Sequence, residues 1–136
     1  MGLLCDCPLH GDDFEWQSPV GAIFNFNATW RNVTTNSGPP AGPPCAEDTA
    51  IFDLSTGFNH VATLLGPTAT DQLIVRNDNV TFDLRTFTYK VGSDVTLGEF
   101  GHNATLAPTN GTFSAVDDLV VSGQLSTGTL TVTNFG

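Results

Sequence analysis

The chain has 136 residues, a length that suits one folding unit around a single core. Acidic residues number 14 against 4 basic ones, so the formal net charge is -10 and the surface repels nucleic-acid phosphates. No apolar run approaches the ~20 residues of a membrane-spanning helix. Thr, Asn, Gly and Val are abundant, which is typical of strands and turns. We therefore expect an all-β protein with no nucleic-acid partner and no membrane span.

The first part of the chain, residues 1–47, shows no regular period. Residues 20–30 alternate partly between apolar and polar side chains and are rich in aromatic rings, as in a half-buried strand. Residues 37–44 are dominated by Pro and Gly, which favour an extended loop because proline lacks a backbone donor. We interpret residues 1–47 as an irregular N-terminal cap.

From Asp48 onward, similar residues recur about every 24 positions, which is the mark of a repeat protein. The recurring positions are Phe58, Phe82, Leu106 and Leu130, then Leu73, Leu97 and Val121, then Tyr89 and Phe113, then Asp94 and Asp118. Each unit holds three short alternating runs that are too short to bury a core alone. Residues 48–136 are therefore predicted to form a short parallel β-solenoid of about four coils.

Stacked coils place equivalent residues beside one another at ~4.8 Å. The spacing predicts an internal stack of Phe58, Phe82, Leu106 and Leu130, with Thr81, Thr105 and Thr129 in an outward column. The alternative is an antiparallel β-sandwich, whose strands also recur every ~8 to 12 residues. The fixed repeat of residue identities favours the solenoid, because a sandwich has no need of it.

Three segments carry a resemblance to a known family. They are Trp30 with its Gly/Pro-rich loop and residues 47–52, then residues 73–84, then residues 128–132. Together they resemble the autotransporter-associated β-strand repeats of large bacterial exported proteins, over residues 30–136. The resemblance implies a right-handed parallel β-helix and an extracellular or cell-surface location. Its motifs are structural and imply no chemistry.

Cysteines and one histidine near the N-terminus form the first candidate site. Cys5, Cys7, His10 and Cys45 supply the donors of a Cys₃His zinc site. A disulfide from Cys5 or Cys7 to Cys45 is the alternative in an oxidising compartment, and it leaves one thiol over. Cys7 and Cys45 are the disulfide candidates. Unpaired thiols in a frayed N-terminus are the third interpretation, and all three stay open at this stage.

Carboxylates cluster at residues 12–15 and at Asp117 and Asp118, where calcium is conceivable because it prefers several oxygen ligands. Neither cluster has the spacing of a known calcium loop, so a solvated acidic face is the favoured interpretation. Asp53 and Asp83 follow strand residues without the pattern of a glycosidase pair.

The histidines His10, His60 and His102 are isolated in the sequence, and no nucleophile elbow is present. We therefore expect no catalytic residues, no required cofactor and no enzyme activity.

Exposed aromatic rings and glycosylation motifs are the remaining surface features. Trp16 falls in a predicted loop, where its ring could stack on a sugar, whereas Trp30 is expected to pack in the core or cap. Asn-x-Thr triplets begin at Asn27, Asn32, Asn79, Asn103 and Asn110. They would accept glycans only in a eukaryotic secretory pathway, and turn and ladder positions explain the same residues.

These patterns predict a structural or adhesive repeat segment of an exported protein that presents polar ladders on a stiff rod. One alternative is a carbohydrate-binding or carbohydrate-active β-helix. A second is a self-assembling filament subunit, because an uncapped solenoid end offers strand edges to another copy or to further repeats. The expected partners are therefore other copies or repeats and surface glycans. The last repeat stops short of a full period, which is consistent with a fragment of a longer protein.

Overall fold

The computed structural model describes residues 11–54, 59–98, 104–121 and 124–125, with only the backbone given for Val121 and for residues 124–125. Within these residues the chain is all-β, as predicted, apart from one short 3₁₀ helix at Asn27–Thr29. No helix in this part of the chain is long and apolar enough to cross a membrane.

Fourteen short strands are present in the described ranges. In chain order they are β1 (Asp13–Trp16), β2 (Ala22–Ile23), β3 (Trp30–Asn32), β4 (Thr49–Phe52), β5 (Asn59–Thr63), β6 (Thr68–Thr70), β7 (Gln72–Val75), β8 (Asn79–Asp83), β9 (Thr88–Val91), β10 (Val95–Leu97), β11 (Thr105–Thr109), β12 (Thr112–Ala115), β13 (Leu119–Val121) and β14 (Gln124–Leu125).

The strands form three sheets, each ordered by every third strand. Sheet A has the order β13-β10-β7-β4-β1-β3, sheet B has the order β14-β11-β8-β5-β2, and sheet C has the order β12-β9-β6. From β4 onward each strand pairs in parallel with the strand three elements later. Sheet A is mixed, because β1 pairs with β3 in antiparallel fashion. The chain therefore passes through sheets A, B and C in turn, and each pass lies beside the previous one.

The register of these pairs follows the 24-residue spacing in some strands only. Tyr89 lies opposite Phe113, at the predicted offset. Leu106, however, lies opposite Val80 rather than Phe82, so the predicted Phe82–Leu106 pairing is wrong. The other two members of that stack, residues 58 and 130, lie outside the described residues.

Two further predicted columns are corrected in part. Leu97 lies opposite Val121, as predicted, but Leu73 lies opposite Val95 and not Leu97. Thr105 lies opposite Asn79 and not Thr81, while residue 129 lies outside the described ranges. The observed offset is 22 residues between β7 and β10 and 26 residues between β8 and β11, so each of these pairs differs by two residues from the predicted spacing. A shift of two preserves the side-chain face, which is why the apolar residues stay inside.

The core is built from the inward side chains of the three sheets. In β8 the side chains of Val80 and Phe82 are fully buried, while those of the alternate residues are half-buried on the outer face. Phe82 contacts Phe52 and Tyr89 at ring-centroid distances of 5.5 and 5.4 Å, so residues from all three sheets meet on one axis. Burial of each such ring contributes about 1.5–3 kcal/mol before the entropy of ordering the chain is subtracted.

The N-terminal segment lies at one end of this core. β1 extends sheet A beside β4, and β2 extends sheet B beside β5. The rings of Trp16, Phe24 and Trp30 are fully buried and pack on one another and on Phe52. These rings cover the end of the core, as expected for Trp30.

The stretch 20–30 departs from its predicted single strand. It is divided into β2, the 3₁₀ helix and β3, and the change of direction brings Phe24 under Trp30. Of the predicted loop 37–44, residues 38–44 form no strand, as predicted, whereas Ser37 forms an isolated antiparallel bridge with Asn32. A Cβ atom on Gly42 would lie 2.5 Å from Trp30 Cβ, so only glycine allows the loop to cross the tryptophan this closely.

Candidate functional site

Trp16 is not a sugar-stacking residue, and that prediction is wrong. Its side chain is 0% exposed, because Trp16 belongs to β1 and points into the core instead of lying in a loop. The indole packs edge-on against Trp30 at 5.3 Å, and its Nε1 donates a hydrogen bond to the carbonyl of Ser18 at 2.7 Å. Both faces of the ring are therefore inaccessible to a ligand on the surface.

Cys45 is buried and disulfide-bonded. The other sequence candidates for this site, Cys5, Cys7 and His10, lie outside the described residues, so the pairing of Cys7 with Cys45 stays a prediction. A sulfur in a disulfide is not a thiolate ligand, which favours the disulfide over the zinc interpretation.

A column of aspartates lies where the chain enters the parallel strands of sheet A. Asp48 is buried, and its carboxylate accepts hydrogen bonds from the backbone amides of Asp12 and Cys45 at 2.9 and 2.8 Å. In the following passes Asp71 accepts a bond from Ser93 Oγ, and Asp94 accepts one from the amide of Asp118. These side chains satisfy backbone and hydroxyl donors at the corner, so their first role is structural.

The last members of this column form an exposed acidic group. Carboxylate oxygens of Asp94, Asp117 and Asp118 lie within 4.8 Å of one another. Asp117 and Asp118 are exposed and Asp94 is half-buried, which agrees with the predicted solvated acidic face. Exposed acidic groups of this kind are common without a bound cation, so their proximity alone gives no evidence for calcium.

The two other carboxylates considered from the sequence each have a local partner. Asp53 forms a half-exposed ion pair with Arg76, with Arg76 Nη1 3.4 Å from Asp53 Oδ2. Asp83 accepts hydrogen bonds from the amide of Arg85 and from Asn110 Nδ2. These contacts fit loop fixation.

His60 is not isolated, contrary to the sequence interpretation. Its Nε2 lies 3.5 Å from Asp78 Oδ2, and both side chains have no solvent exposure. Burial raises the pKa of Asp78, while the amides of Leu54 and Asn79 and the neighbouring His60 oppose that rise. His10 and His102 lie outside the described residues.

Sequence reasoning missed this pair because its members are separated by 18 positions, which is not the repeat length. One feature of the sequence could have indicated the pair. Both residues are polar, yet each stands next to inward apolar positions, His60 in β5 and Asp78 directly before β8. The two residues meet because of the register of β5 and β8. His60 lies opposite Val80, so Asp78, two residues before Val80, comes close to His60.

The outward face of sheet B carries two rows of aligned polar residues, on either side of a middle row formed by Val61, Thr81 and Ala107. Asn59, Asn79 and Thr105 are aligned across β5, β8 and β11. A second row contains Thr63, Asp83 and Thr109. We call these two rows, together with Thr81 between them, the polar ladder. Thr81 Oγ1 donates a hydrogen bond to Asn59 Oδ1 at 3.1 Å, so neighbouring passes are also joined through side chains.

The Asn-x-Thr motifs differ in accessibility. Asn32 is buried, with Nδ2 donating to Asp12 Oδ2 and Oδ1 accepting from the Thr35 amide, so this asparagine is engaged in the fold. Asn27 and Asn110 are exposed, and Asn79 is half-buried in the polar ladder. Asn103 lies outside the described residues.

No protein-family model, curated protein or solved structure matches this chain. The interpretation of function therefore depends on the geometry of the chain itself.

Proposed function

We propose that the chain is a short right-handed parallel β-solenoid that serves as a structural or adhesive repeat segment of an exported or cell-surface protein. The observation that carries this proposal is the strand order, in which each sheet, apart from β3 at the edge of sheet A, takes every third strand and neighbouring strands are parallel. That order is the one expected of stacked three-strand coils. A β-sandwich is built from antiparallel sheets, and antiparallel pairing is limited to β1 with β3 among the named strands.

In this proposal residues 1–47 cap the first coil and residues 48–136 supply the repeats. Trp16, Phe24 and Trp30 support the division, because their rings cover the end of the aromatic core. The last described strands of the three sheets, β12, β13 and β14, are the positions at which further repeats or another copy would pair. A stiff rod results, because each coil is fixed by backbone hydrogen bonds to the next.

Two features support an extracellular or cell-surface location. Cys45 is disulfide-bonded, and disulfides persist mainly in oxidising compartments. The resemblance of residues 30–136 to autotransporter-associated repeats implies the same location. The strong acidity is compatible with solubility in that environment.

The polar ladder is the surface that we assign to adhesion. Equivalent side chains repeat at the ~4.8 Å spacing of paired strands, so a polymer with regularly spaced hydroxyl groups can be contacted at several points at once. Amide and hydroxyl groups of Asn79, Thr81 and Thr105 can both donate and accept hydrogen bonds. Surface glycans fit this chemistry, and no catalytic group is required for it.

The experiment compares two double variants on different sheets. Asn79→Lys with Thr105→Lys changes the polar ladder, whereas Thr88→Lys with Thr112→Lys makes the same charge change on the outward face of sheet C. Circular dichroism establishes that both variants remain folded. Binding of the purified chain to immobilised polysaccharides and to bacterial and epithelial cell surfaces is then measured.

Adhesion through the polar ladder predicts at least a tenfold loss of binding for the sheet B variant and unchanged binding for the sheet C variant. Equal effects of the two variants would contradict the assignment of that face. Release of reducing sugar ends from a bound polysaccharide would instead support the carbohydrate-active alternative. Concentration-dependent growth of the particles in light scattering would support the filament alternative.

A further inference from the structure

A buried acid–base pair lies at the corner between sheets A and B. His60 is in β5, and Asp78 immediately precedes β8. His60 Nε2 is 3.5 Å from Asp78 Oδ2, and neither side chain is reached by solvent. Burial of two ionisable groups away from solvent costs free energy of folding unless their charges balance each other.

The surroundings of the pair are apolar on the histidine side and rich in backbone donors on the aspartate side. The His60 ring is stacked near Trp16 and Phe52, with ring centroids 6.2 and 6.5 Å away. The Asp78 carboxylate accepts hydrogen bonds from the amides of Leu54 and Asn79 at 3.2 and 2.9 Å. The amides favour a charged carboxylate, while the lack of water opposes it.

The number of protons on the pair decides its net charge. With one proton the pair is neutral overall, whether the proton is on the imidazole or on the carboxyl group. With none it carries one negative charge, and with two it carries one positive charge. A site with little solvent favours the neutral state over both charged states.

We propose that His60 and Asp78 form a proton-dependent joint of the fold, which holds one shared proton in the native state and is weakened when that proton is lost. The joint connects three successive passes of the chain. Asp78 Oδ2 binds the amide of Leu54, its backbone carbonyl accepts the amide of Thr105, and the amide of Arg76 binds the carbonyl of Phe52. Weakening at this corner therefore affects sheets A and B together.

Other charged groups near the joint act from its solvent side. Asp53 follows β4 and opposes ionisation of Asp78, while Arg76 follows β7 and is paired with Asp53. β1 contributes Trp16, and its charged neighbour Glu15 lies on the opposite face. In β8 the nearest charge is Asp83 on the outer face. Glu99 and His102 lie outside the described residues.

The direction of the pH effect follows from proton linkage. In the unfolded chain the histidine loses its proton near pH ~6.5, whereas the native pair keeps one proton to a higher pH. The raised pKa of Asp78 acts in the same direction, because it also lets the native protein hold a proton to a higher pH than the unfolded chain does. The stabilisation is present at lower pH and is lost as the pH rises through the native value, because the unfolded chain then binds fewer protons than the native one.

The test measures the urea midpoint of unfolding of the full chain from about pH 5 to pH 9. The wild-type midpoint is expected to fall above about pH 6.5. Asp78→Asn, which cannot ionise, is expected to remove most of this fall. Asp53→Asn removes a carboxylate that opposes ionisation of Asp78 from the solvent side, so the fall is expected to persist and to move only to slightly lower pH.

A second variant separates a proton-dependent role from simple packing. His60→Gln leaves Asp78 without its imidazole, so the variant is expected to be least stable at neutral pH and to regain stability in acid as the carboxyl group is protonated. A loss that is the same at every pH would show a packing role only and would overturn the proposal. A wild-type-like profile for Asp78→Asn would overturn it as well.

Discussion

The hydroxyl groups of Tyr89 and Thr70 lie 2.9 Å apart in the buried core, across the pair β6 and β9 of sheet C. Thr70 Oγ1 also donates to the carbonyl of Gln72 at 3.0 Å, so its single hydrogen is already used. The Tyr89 hydroxyl must therefore be the donor to Thr70. The hydroxyl hydrogen of Tyr89 therefore stabilises the core, because without it two buried oxygen atoms would face each other with no hydrogen between them.

Tyr89 is the single tyrosine of the chain, so its ionisation can be followed directly. Burial raises the pKa of Tyr89 far above its ordinary value of 10.0. The native protein is therefore expected to show no phenolate absorbance at pH ~11, whereas the chain in urea ionises near pH ~10. Stability is retained below the unfolded pKa and is lost as the pH rises toward the native one.

The matched variant is Tyr89→Phe, which lacks the ionisable hydroxyl. It is expected to lose about 1 kcal/mol of unfolding free energy at neutral pH, because Thr70 loses its donor. Above pH ~10 the variant should be less sensitive to alkali than the wild type. Phenolate absorbance that develops in the folded wild-type protein at an ordinary pKa would contradict the buried position of Tyr89.

Trp16 and Trp30 are the two tryptophans of the chain, and both are fully buried. Their fluorescence is expected to be blue-shifted in the native state and weakly quenched by acrylamide, with a red shift on unfolding. Soluble sugars should leave the native spectrum unchanged, since neither ring is exposed. A sugar-dependent shift in the native protein would contradict this arrangement.

Trp16→Ala should destabilise the fold by about 3–5 kcal/mol through the cavity that it leaves.

The sequence was sufficient to predict the class of the fold but not its registers. The 24-residue spacing predicts an inward side chain for Phe82 of β8 and predicts that Tyr89 and Phe113 are neighbours, and both predictions are confirmed. The spacing failed for Phe82, because connections of unequal length shift strands by two residues without changing the face. Since burial is unaffected, the hydrophobic pattern contains no signal of such a shift.

The candidate sites show the same division between local and long-range information. Trp16 was assigned to a loop because its neighbours gave no clear period, yet β1 is completed by pairing with β4, which is 36 positions later in the chain. The proximity of His60 to Asp78 depends on the pairing of β5 with β8. Both facts depend on contacts between distant segments, which propensity and periodicity do not encode.

Engineered cysteines can distinguish the two registers of β8 and β11. Asn79→Cys with Thr105→Cys places the new thiols on residues that lie directly opposite each other. Thr81→Cys with Thr105→Cys uses the 24-residue spacing, and its Cα atoms are diagonal at ~8 Å, beyond the reach of an unstrained disulfide. Mass spectrometry after mild oxidation should find the first disulfide and not the second. The opposite result would restore the register predicted from the repeat.

Two glycines provide a matched test of the close packing between passes. A Cβ atom on Gly111 would lie 2.5 Å from both Leu84 Cβ and the carbonyl oxygen of Phe87, whereas one on Gly66 would meet no atom within 4 Å. Gly111→Ala should therefore destabilise the fold by about 1–3 kcal/mol, because the turn after β11 must move away from the preceding pass. Gly66→Ala should be neutral or stabilise the fold by up to about 1 kcal/mol, because it only restricts the unfolded chain. Urea unfolding of both variants measures the difference, and equal stabilities would mean that the two passes are not in contact at Gly111.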